Sequence, residues 1–270
     1  MKLSEESVEH YRRHGFVRVP GVLSAAEAAD YARAAAELPG ASSTGPEMRA
    51  FRQYVNVWRT SAALNALTLH PKLSALAHQL AGLPLRLWHD QVLVKPPHHE
   101  TATEFHQDHP YWPHRTCRHA LSAWVALVDV PAERGCMTFL PGSHTHTGLR
   151  PQDLHKEGDL FEIDPELRWR ERVTVPLRAG DITFHNSYTG HMALPNRTDA
   201  ARLAHIVIYM DADTVYDGRP HPVTDGVGLL PGDRLDGDLF PPLTSFAAGP
   251  SPNGRGRRPV PAPPSRRDTR

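Results

Sequence analysis

Glu104-Phe105-His106-Gln107-Asp108-His109-Pro110-Tyr111-Trp112-Pro113 is the stretch on which the reading of this chain turns. At its centre stands His106-x-Asp108, an imidazole and a carboxylate two positions apart. On an extended segment residues i and i+2 point to the same face, so both side chains can close on one small cation. Nitrogen and oxygen donors of this kind suit a first-row divalent metal, and a His-x-Asp completed by a distant His is the facial triad of non-haem Fe(II) oxygenases. Alone the pair decides little. In a chain with 18 His, one such pair is expected by chance, and its ordinary reading is a surface loop.

The sequence around the pair changes period from helical to strand-like. Upstream, residues 4–14 read as a short polar helix stopped at Gly15, and 16–19 as a strand. Ser24-x-x-Glu27 is a capping box that opens an Ala-rich helix ending at Pro39-Gly40. Residues 51–58 are strand-like, and the spacing of Leu64, Leu67, Leu73, Leu76 and Leu80 around Pro71 gives one or two helices ending at Gly82. From Leu85 the period becomes two, with strands expected over 85–88 and 91–94 before Pro96-Pro97 breaks the run. Downstream, strands are expected over 120–129, 137–140, 172–177, 181–185 and 202–210. Many short strands with turn signals, and helices gathered near the N-terminus, predict a mainly β fold with flanking helices, a double-stranded β-helix (jelly-roll, cupin-like) barrel.

Residues 1–248 are expected to form one domain. Residues 249–270 are Pro-, Gly- and Arg-rich, can bury little, and are expected to be a disordered tail. Residues 148–171 show no clear period; an irregular stretch of that length is expected to be a lid or binding loop over the barrel mouth. The charged groups Arg150, Asp153, His155, Lys156 and Glu157 in it suggest a polar substrate.

Hydrophobic residues at 40% and charged residues at 22% are normal for a globular enzyme. The formal net charge is +0, so no global field draws nucleic acid or an anionic membrane. Two cysteines, Cys117 and Cys136, cannot make a disulfide framework. With no signal-like N-terminus and no apolar run of spanning length, a reduced, cytoplasmic protein is expected. The sequence leaves the oligomeric state open between monomer and homodimer.

The third metal ligand should lie near the end of a late strand. His191, in Phe184-His185-Asn186-Ser187-Tyr188-Thr189-Gly190-His191, is the candidate, and His185 is its competitor. Eleven residues on, Arg202 opens an apolar strand, where a cation is costly unless an anion meets it. Guanidinium is suited to two-pronged carboxylate recognition. A facial triad leaves three metal positions open, which a bidentate 2-oxo acid and dioxygen would fill. The alternative partner for Arg202 is a protein carboxylate such as Asp181 or Asp199.

His106-Gln107-Asp108 with Tyr111-Trp112-Pro113, then Trp124, Gly135, Pro141-Gly142-Ser143-His144, Gly180-Asp181, His191, Asn196 and Arg202 stand in an order and spacing that resembles the phytanoyl-CoA dioxygenase (PhyH) family. The resemblance runs from about residue 8 to 211. It implies a jelly-roll enzyme using Fe(II), 2-oxoglutarate and O2 to oxidise, by hydroxylation in the first instance, an unactivated C–H bond of a small molecule, with release of succinate and CO2. By the same resemblance His106, Asp108 and His191 would bind iron, and Arg202 would pair with the distal carboxylate of 2-oxoglutarate. Trp124, Gln91 and Tyr54 would wall the co-substrate. Where many family members carry a hydroxylated residue two positions after the distal His, this chain has Ala193. Asp108 is present where related halogenases have a small residue, which favours hydroxylation or another oxidation over halogenation. Oxidative cyclisation or desaturation by the same site is the alternative chemistry. A cupin-like metal-binding protein without turnover, or a zinc hydrolase using the same donors, is the rival from another class.

Overall fold

The computed structural model describes residues 1–39, 50–152 and 160–243. The expected tail and residues Asp153, His155, Lys156 and Glu157 of the expected lid lie outside them. Twelve strands and five α-helices are present among the described residues. The N-terminal helices follow their local signals closely. Helix α1 (Glu5–His14) is capped by Ser4 and closed by Gly15 at φ +83°, and a Cβ there would meet Thr189 Oγ1 at 2.5 Å. Strand β1 (Phe16–Val19) leads to helix α2 (Ala25–Ala36), opened by the reciprocal Ser24–Glu27 capping box. Strand β2 (Arg52–Val55) precedes helix α3 (Ala62–Thr68) and helix α4 (Pro71–Ala81), the latter starting on a proline and ending at Gly82.

The remaining strands are β3 (Leu85–Lys95), β4 (Thr103–His106), β5 (His114–Arg115), β6 (Ala120–Ala126), β7 (Met137–Phe139), β8 (Val173–Val175), β9 (Ile182–Asn186), β10 (His191–Ala193), β11 (Arg202–Asp211) and β12 (Val215–Tyr216). They form a six-stranded sheet in the order β1-β9-β6-β11-β3-β2, a four-stranded sheet in the order β4-β10-β7-β8, and a small β12-β5 ribbon. Every pairing is antiparallel.

The sheets are held by two apolar layers. Between them, Trp124, Ala204, Ile206 and Ile208 of the large sheet pack with Met137, Phe139, Val175 and Ala193 of the small one. On the outer face of the large sheet, Val92, Val125, Val207 and Tyr209 pack against Leu64, Leu73, Leu76 and Leu80 of α3 and α4. This is the jelly roll expected from the strand count, with the helices covering one side.

Two expectations change. The strands expected over 85–88 and 91–94 are one strand, β3, because His89 and Asp90 between them are buried and paired. Its ladder to β11 slips at Ile208/Tyr209, where Trp88 is the extra residue. The stretch expected to be wholly irregular over 148–171 contains helix α5 (Leu160–Ile163) and a 3-10 helix, Pro165–Trp169. Leu160, Phe161 and Leu167 pack on Phe105 and Leu140, so that part is docked on the small sheet.

Candidate active site

His106 ends β4 and His191 begins β10, and the two residues are direct cross-strand partners. Their rings lie 4.3 Å apart. Asp108 follows on the short turn after β4, with Oδ1 at 3.6 Å from His106 Nε2 and 3.7 Å from His191 Nε2. The three ligand atoms fall within 4.8 Å of one another. Each imidazole is turned the same way. His106 Nδ1 sits 2.7 Å from the Glu104 carbonyl and His191 Nδ1 sits 2.8 Å from the Thr189 carbonyl. A carbonyl can only accept, so both Nδ1 atoms carry a proton and both Nε2 atoms face Asp108, whose carboxylate raises the His106 pKa against its burial.

The electrostatics suit a divalent cation. Burial opposes charge on Asp108, but His191, His106 and His185 around it prevail and hold its pKa well below the carboxylate range. Burial, with His106 beside it, holds His191 well below the usual histidine value. Two imidazole nitrogens and an ionised carboxylate on one small locus fit Fe(II).

His185, the competing ligand, is placed differently. It stands on β9 opposite Ser122 of β6, and its Nε2 is 3.4 Å from the other carboxylate oxygen, Oδ2. Ser122 Oγ donates to the same oxygen at 3.2 Å. The pair therefore steadies the back of Asp108 and leaves Oδ1 to the triad.

Arg202 opens β11, faces the space between the sheets and is 1% exposed. Its Nη1 donates to the Leu93 carbonyl at 3.4 Å, and its Nε has no hydrogen-bond partner. The guanidinium lies 5.4 Å from the centre of the Trp124 ring. Burial lowers its pKa to about 9. The protein carboxylates that could have met it are engaged elsewhere: Asp181 with Arg18 at 2.7 Å, and Asp199 with His98 at 2.8 Å. Opposite Arg202 on β3 stands Lys95, also fully buried. Its Nζ donates to the carbonyls of Thr101, Ala193 and Leu194 at 2.9–3.2 Å. Burial, with Arg202 beside it, lowers the Lys95 pKa to about 6, so Arg202 is the standing cation of the pair, and no carboxylate is bonded to either among the described residues. A dianionic 2-oxo acid fits that unpaired guanidinium.

The register sorts the remaining candidates. Gln91 pairs with Ile206, and Ile206 with Trp124, so all three project to the inner face. Tyr54 pairs with Val92 and packs with the helix-side core, on the opposite face. The structure does not bring it to the site, because strand side chains alternate and the expectation is one residue out of step. Its neighbour Gln53 is the inward residue, hydrogen-bonded through Nε2 to Gln91 Oε1.

Gln107 is a residue to which the sequence alone assigns no role. It lies between two ligands, so alternation turns it away from the metal and into the protein. There its amide donates to the carbonyls of His146 at 2.8 Å and Tyr188 at 2.7 Å. It ties the His-x-Asp turn to the turn that precedes His191. That parity was the only available signal.

A jelly roll with an inward His-x-Asp, a cross-strand distal His and a buried arginine defines the class of non-haem iron oxygenases that use 2-oxoglutarate. The phytanoyl-CoA dioxygenase (PhyH) family description matches residues 11–204, and the chain belongs to that family. Among relatives of known sequence, phytanoyl-CoA dioxygenase domain-containing protein 1 of Mus musculus is 28% identical over 186 residues, covering 67% of this chain. The chain spans 60% of the length of that relative. Among solved structures, the non-heme alpha-ketoglutarate-dependent carbocyclase SnoK from nogalamycin biosynthesis is similar at 41% identity and TM-score 0.80. That match covers 90% of this chain and 97% of SnoK. The epimerase SnoN, in complex with Fe3+, alpha-ketoglutarate and nogalamycin RO, is similar at 41% identity and TM-score 0.79, covering 89% and 98%.

Proposed function

We propose that this protein is an Fe(II)- and 2-oxoglutarate-dependent oxygenase that oxidises an unactivated C–H bond of a small secondary metabolite. The observation that carries this reading is Arg202: a buried guanidinium with an unpartnered Nε, on the sheet face that also bears Ser122 and His185 behind Asp108. A metal-binding cupin without turnover, or a zinc hydrolase, has no use for an anion anchor there.

In this reading His106, Asp108 and His191 hold the iron, and Arg202 holds the far carboxylate of 2-oxoglutarate. Trp124 packs beneath the guanidinium and excludes water, while Gln91 stands on the same wall. The bound iron and co-substrate supply the oxidising power, consuming O2 and 2-oxoglutarate and releasing succinate and CO2. The chain's own work is positional: it fixes donors on rigid strands, keeps Asp108 ionised and leaves one side open for the substrate.

Hydroxylation is the simplest outcome of such a site. The likeness to SnoK and SnoN, a carbocyclase and an epimerase, supports a second outcome in which the same hydrogen abstraction ends in ring closure or inversion. A small molecule is the substrate in either case. No helix among the described residues is long and apolar enough to cross a membrane.

The test is a calorimetric titration of 2-oxoglutarate into the Fe(II)-loaded protein without oxygen. A hydrogen bond to a charged group contributes about 1.5–3 kcal/mol, so Arg202→Leu should weaken binding by about tenfold to a hundred-and-fiftyfold. Arg202→Lys should fall between, keeping charge without the two-pronged geometry. Iron affinity should hardly change. Unaltered 2-oxoglutarate affinity in a folded Arg202→Leu protein would sink the reading.

A further inference from the structure

Gly135, Asn196 and the run Lys95-Pro96-Pro97 have no part in the iron site or the anchor described above. In the fold they converge on one side chain, that of Lys95, wholly buried at the end of β3. Asn196, itself buried, donates through Nδ2 to the carbonyls of Lys95 at 3.2 Å and Pro96 at 2.8 Å, which fixes the main chain there. Gly135 leaves room for the aliphatic stem. A Cβ at its position would meet the Leu194 carbonyl oxygen at 2.9 Å and Lys95 Cδ at 3.4 Å.

Lys95 belongs to the six-stranded sheet, but its hydrogen bonds leave that sheet. Nζ donates to the carbonyls of Ala193 and Leu194 at the end of β10, in the four-stranded sheet, and to Thr101 in the loop that leads into β4. Those two strands carry His191 and His106. On its own sheet Lys95 is the direct cross-strand partner of Arg202. One side chain thus joins the strands of the proposed iron ligands to the strand of the proposed anchor. A second polar link between the sheets stands at the metal end, where Ser122 Oγ donates to Asp108. Trp124 and Gln91 share the inner face between these two links. From His191 to Ala193 the strand advances ~6.8 Å, two residues at ~3.4 Å each, which is the length scale of a five-carbon diacid laid between a metal and Arg202.

The Lys95 amine suits a tether better than a second anion receptor. Its protons are turned to main-chain oxygens, and burial with Arg202 beside it lowers its pKa to about 6. Polar groups sealed from water are costly unless their hydrogen bonds are made, so these bonds resist exchange with solvent.

We propose that Lys95 is a positioning residue that sets the span between the iron and Arg202, and thereby selects a five-carbon 2-oxo diacid over a longer one. The inference rests on the oxygenase reading above and adds to it the residue that measures the co-substrate.

The test uses the full chain loaded with Fe(II) under argon and titrated with 2-oxoglutarate or with 2-oxoadipate, which is one methylene longer. The visible charge-transfer band reports each complex. Wild type should favour 2-oxoglutarate by about tenfold or more, the worth of one methylene in a shaped pocket. Lys95→Met keeps the stem and removes the donor, so the three carbonyls turn to water and the sheet ends can part. 2-Oxoglutarate should then weaken more than 2-oxoadipate, and the ratio should fall toward one. Lys95→Gln, which keeps N–H donors on a shorter stem, should fall between. Thermal melts of both variants report what folding loses. A lower Tm with an unchanged ratio is the signature of a merely structural lysine and would overturn the proposal. If Lys95→Met does not fold, Lys95→Gln and the wild-type ratio decide, since a wild type that takes both acids equally well overturns the proposal by itself. Arg202→Leu is titrated alongside. Undiminished 2-oxoglutarate binding there overturns the oxygenase reading, whereas a normal loss there with Lys95 variants that shift both acids equally overturns this proposal alone.

Discussion

Asp108 shows how much of the chemistry is set at the scale of single residues. One carboxylate oxygen faces two imidazoles at 3.6 and 3.7 Å, and the other is held by Ser122 at 3.2 Å with His185 at 3.4 Å. The carboxylate is thus aimed as well as charged, and its roles can be separated by substitution. His106→Ala and His191→Ala should each abolish Fe(II) binding, because two remaining donors compete poorly with water. Asp108→Gly should abolish hydroxylation while leaving space for an external anion at the metal. His185→Ala removes only one of two contacts to the rear oxygen. Iron affinity should then fall about tenfold, the lower end for an outer-sphere change. Metal content after dialysis, read beside single-turnover succinate yield, checks all four. Retained iron in His191→Ala with total loss in His185→Ala would reverse the ligand assignment.

At the scale of elements, what the sequence made legible was set by alternation, and what it concealed was set by pairing. Strand β11 reads directly. Arg202, Ala204, Ile206 and Ile208 share the inner face as their spacing requires, while Val207 and Tyr209 join the helix-side core. The cap of α2 and the stop of α4 are equally plain, because those signals act within a few residues. Tyr54 shows the limit, since a strand's period says which residues share a face but not which face is inward. Lys95 shows another. Its importance lies in carbonyls up to 99 positions away, which no local pattern records. Asp90 is a third case, a carboxylate inside β3 that the fold buries completely. It accepts from Thr68 Oγ1 at 2.7 Å and from the Trp58 amide at 3.0 Å, docking α3 on the sheet. Burial raises its pKa to about 7, against about 3.9 for a free Asp. The folded state therefore binds this proton more tightly than the unfolded state does. Its contribution to stability falls as pH rises from about 4 to 7 and is level above. Asp90→Asn removes that dependence and keeps an acceptor for Thr68 and Trp58. Its stability relative to wild type should rise by about 1–3 kcal/mol between pH 5 and pH 8. Urea midpoints at the two pH values measure this, and a difference that stays constant would show that Asp90 is not the titrating group.

For the molecule as a whole, the metal turn is a junction clamped by segments distant in sequence, and its rigidity is a property of the assembled fold. From one side Gln107 reaches the carbonyls of His146 and Tyr188. From the other, Arg219 reaches the carbonyls of Pro110 and Trp112, arriving from the long segment that follows β12. That segment is anchored in turn by Phe240, Leu235 and Val223, which are buried in the inner core with Trp88; the Phe240 ring stacks on Trp88 at 5.3 Å. The proposed iron ligands on β4 and β10 thus depend on residues more than a hundred positions downstream of the first of them. Arg219→Met would keep the aliphatic stem, release both carbonyls and leave Asp217 without its cation. The Arg219 side chain is about half exposed, at 48%, so water would answer part of the loss. A stability cost of about 1–2 kcal/mol follows, or a fall in Tm of roughly 2–8 °C for a chain of this size. If the clamp also holds the ligands, iron affinity should drop about tenfold in protein that is still folded, as outer-sphere changes do. The affinity for 2-oxoglutarate, measured at saturating metal, should stay as it was if Arg202 anchors it as proposed, because β11 is untouched. A lower Tm with unchanged metal affinity would show that Arg219 fastens the C-terminal segment without positioning the iron.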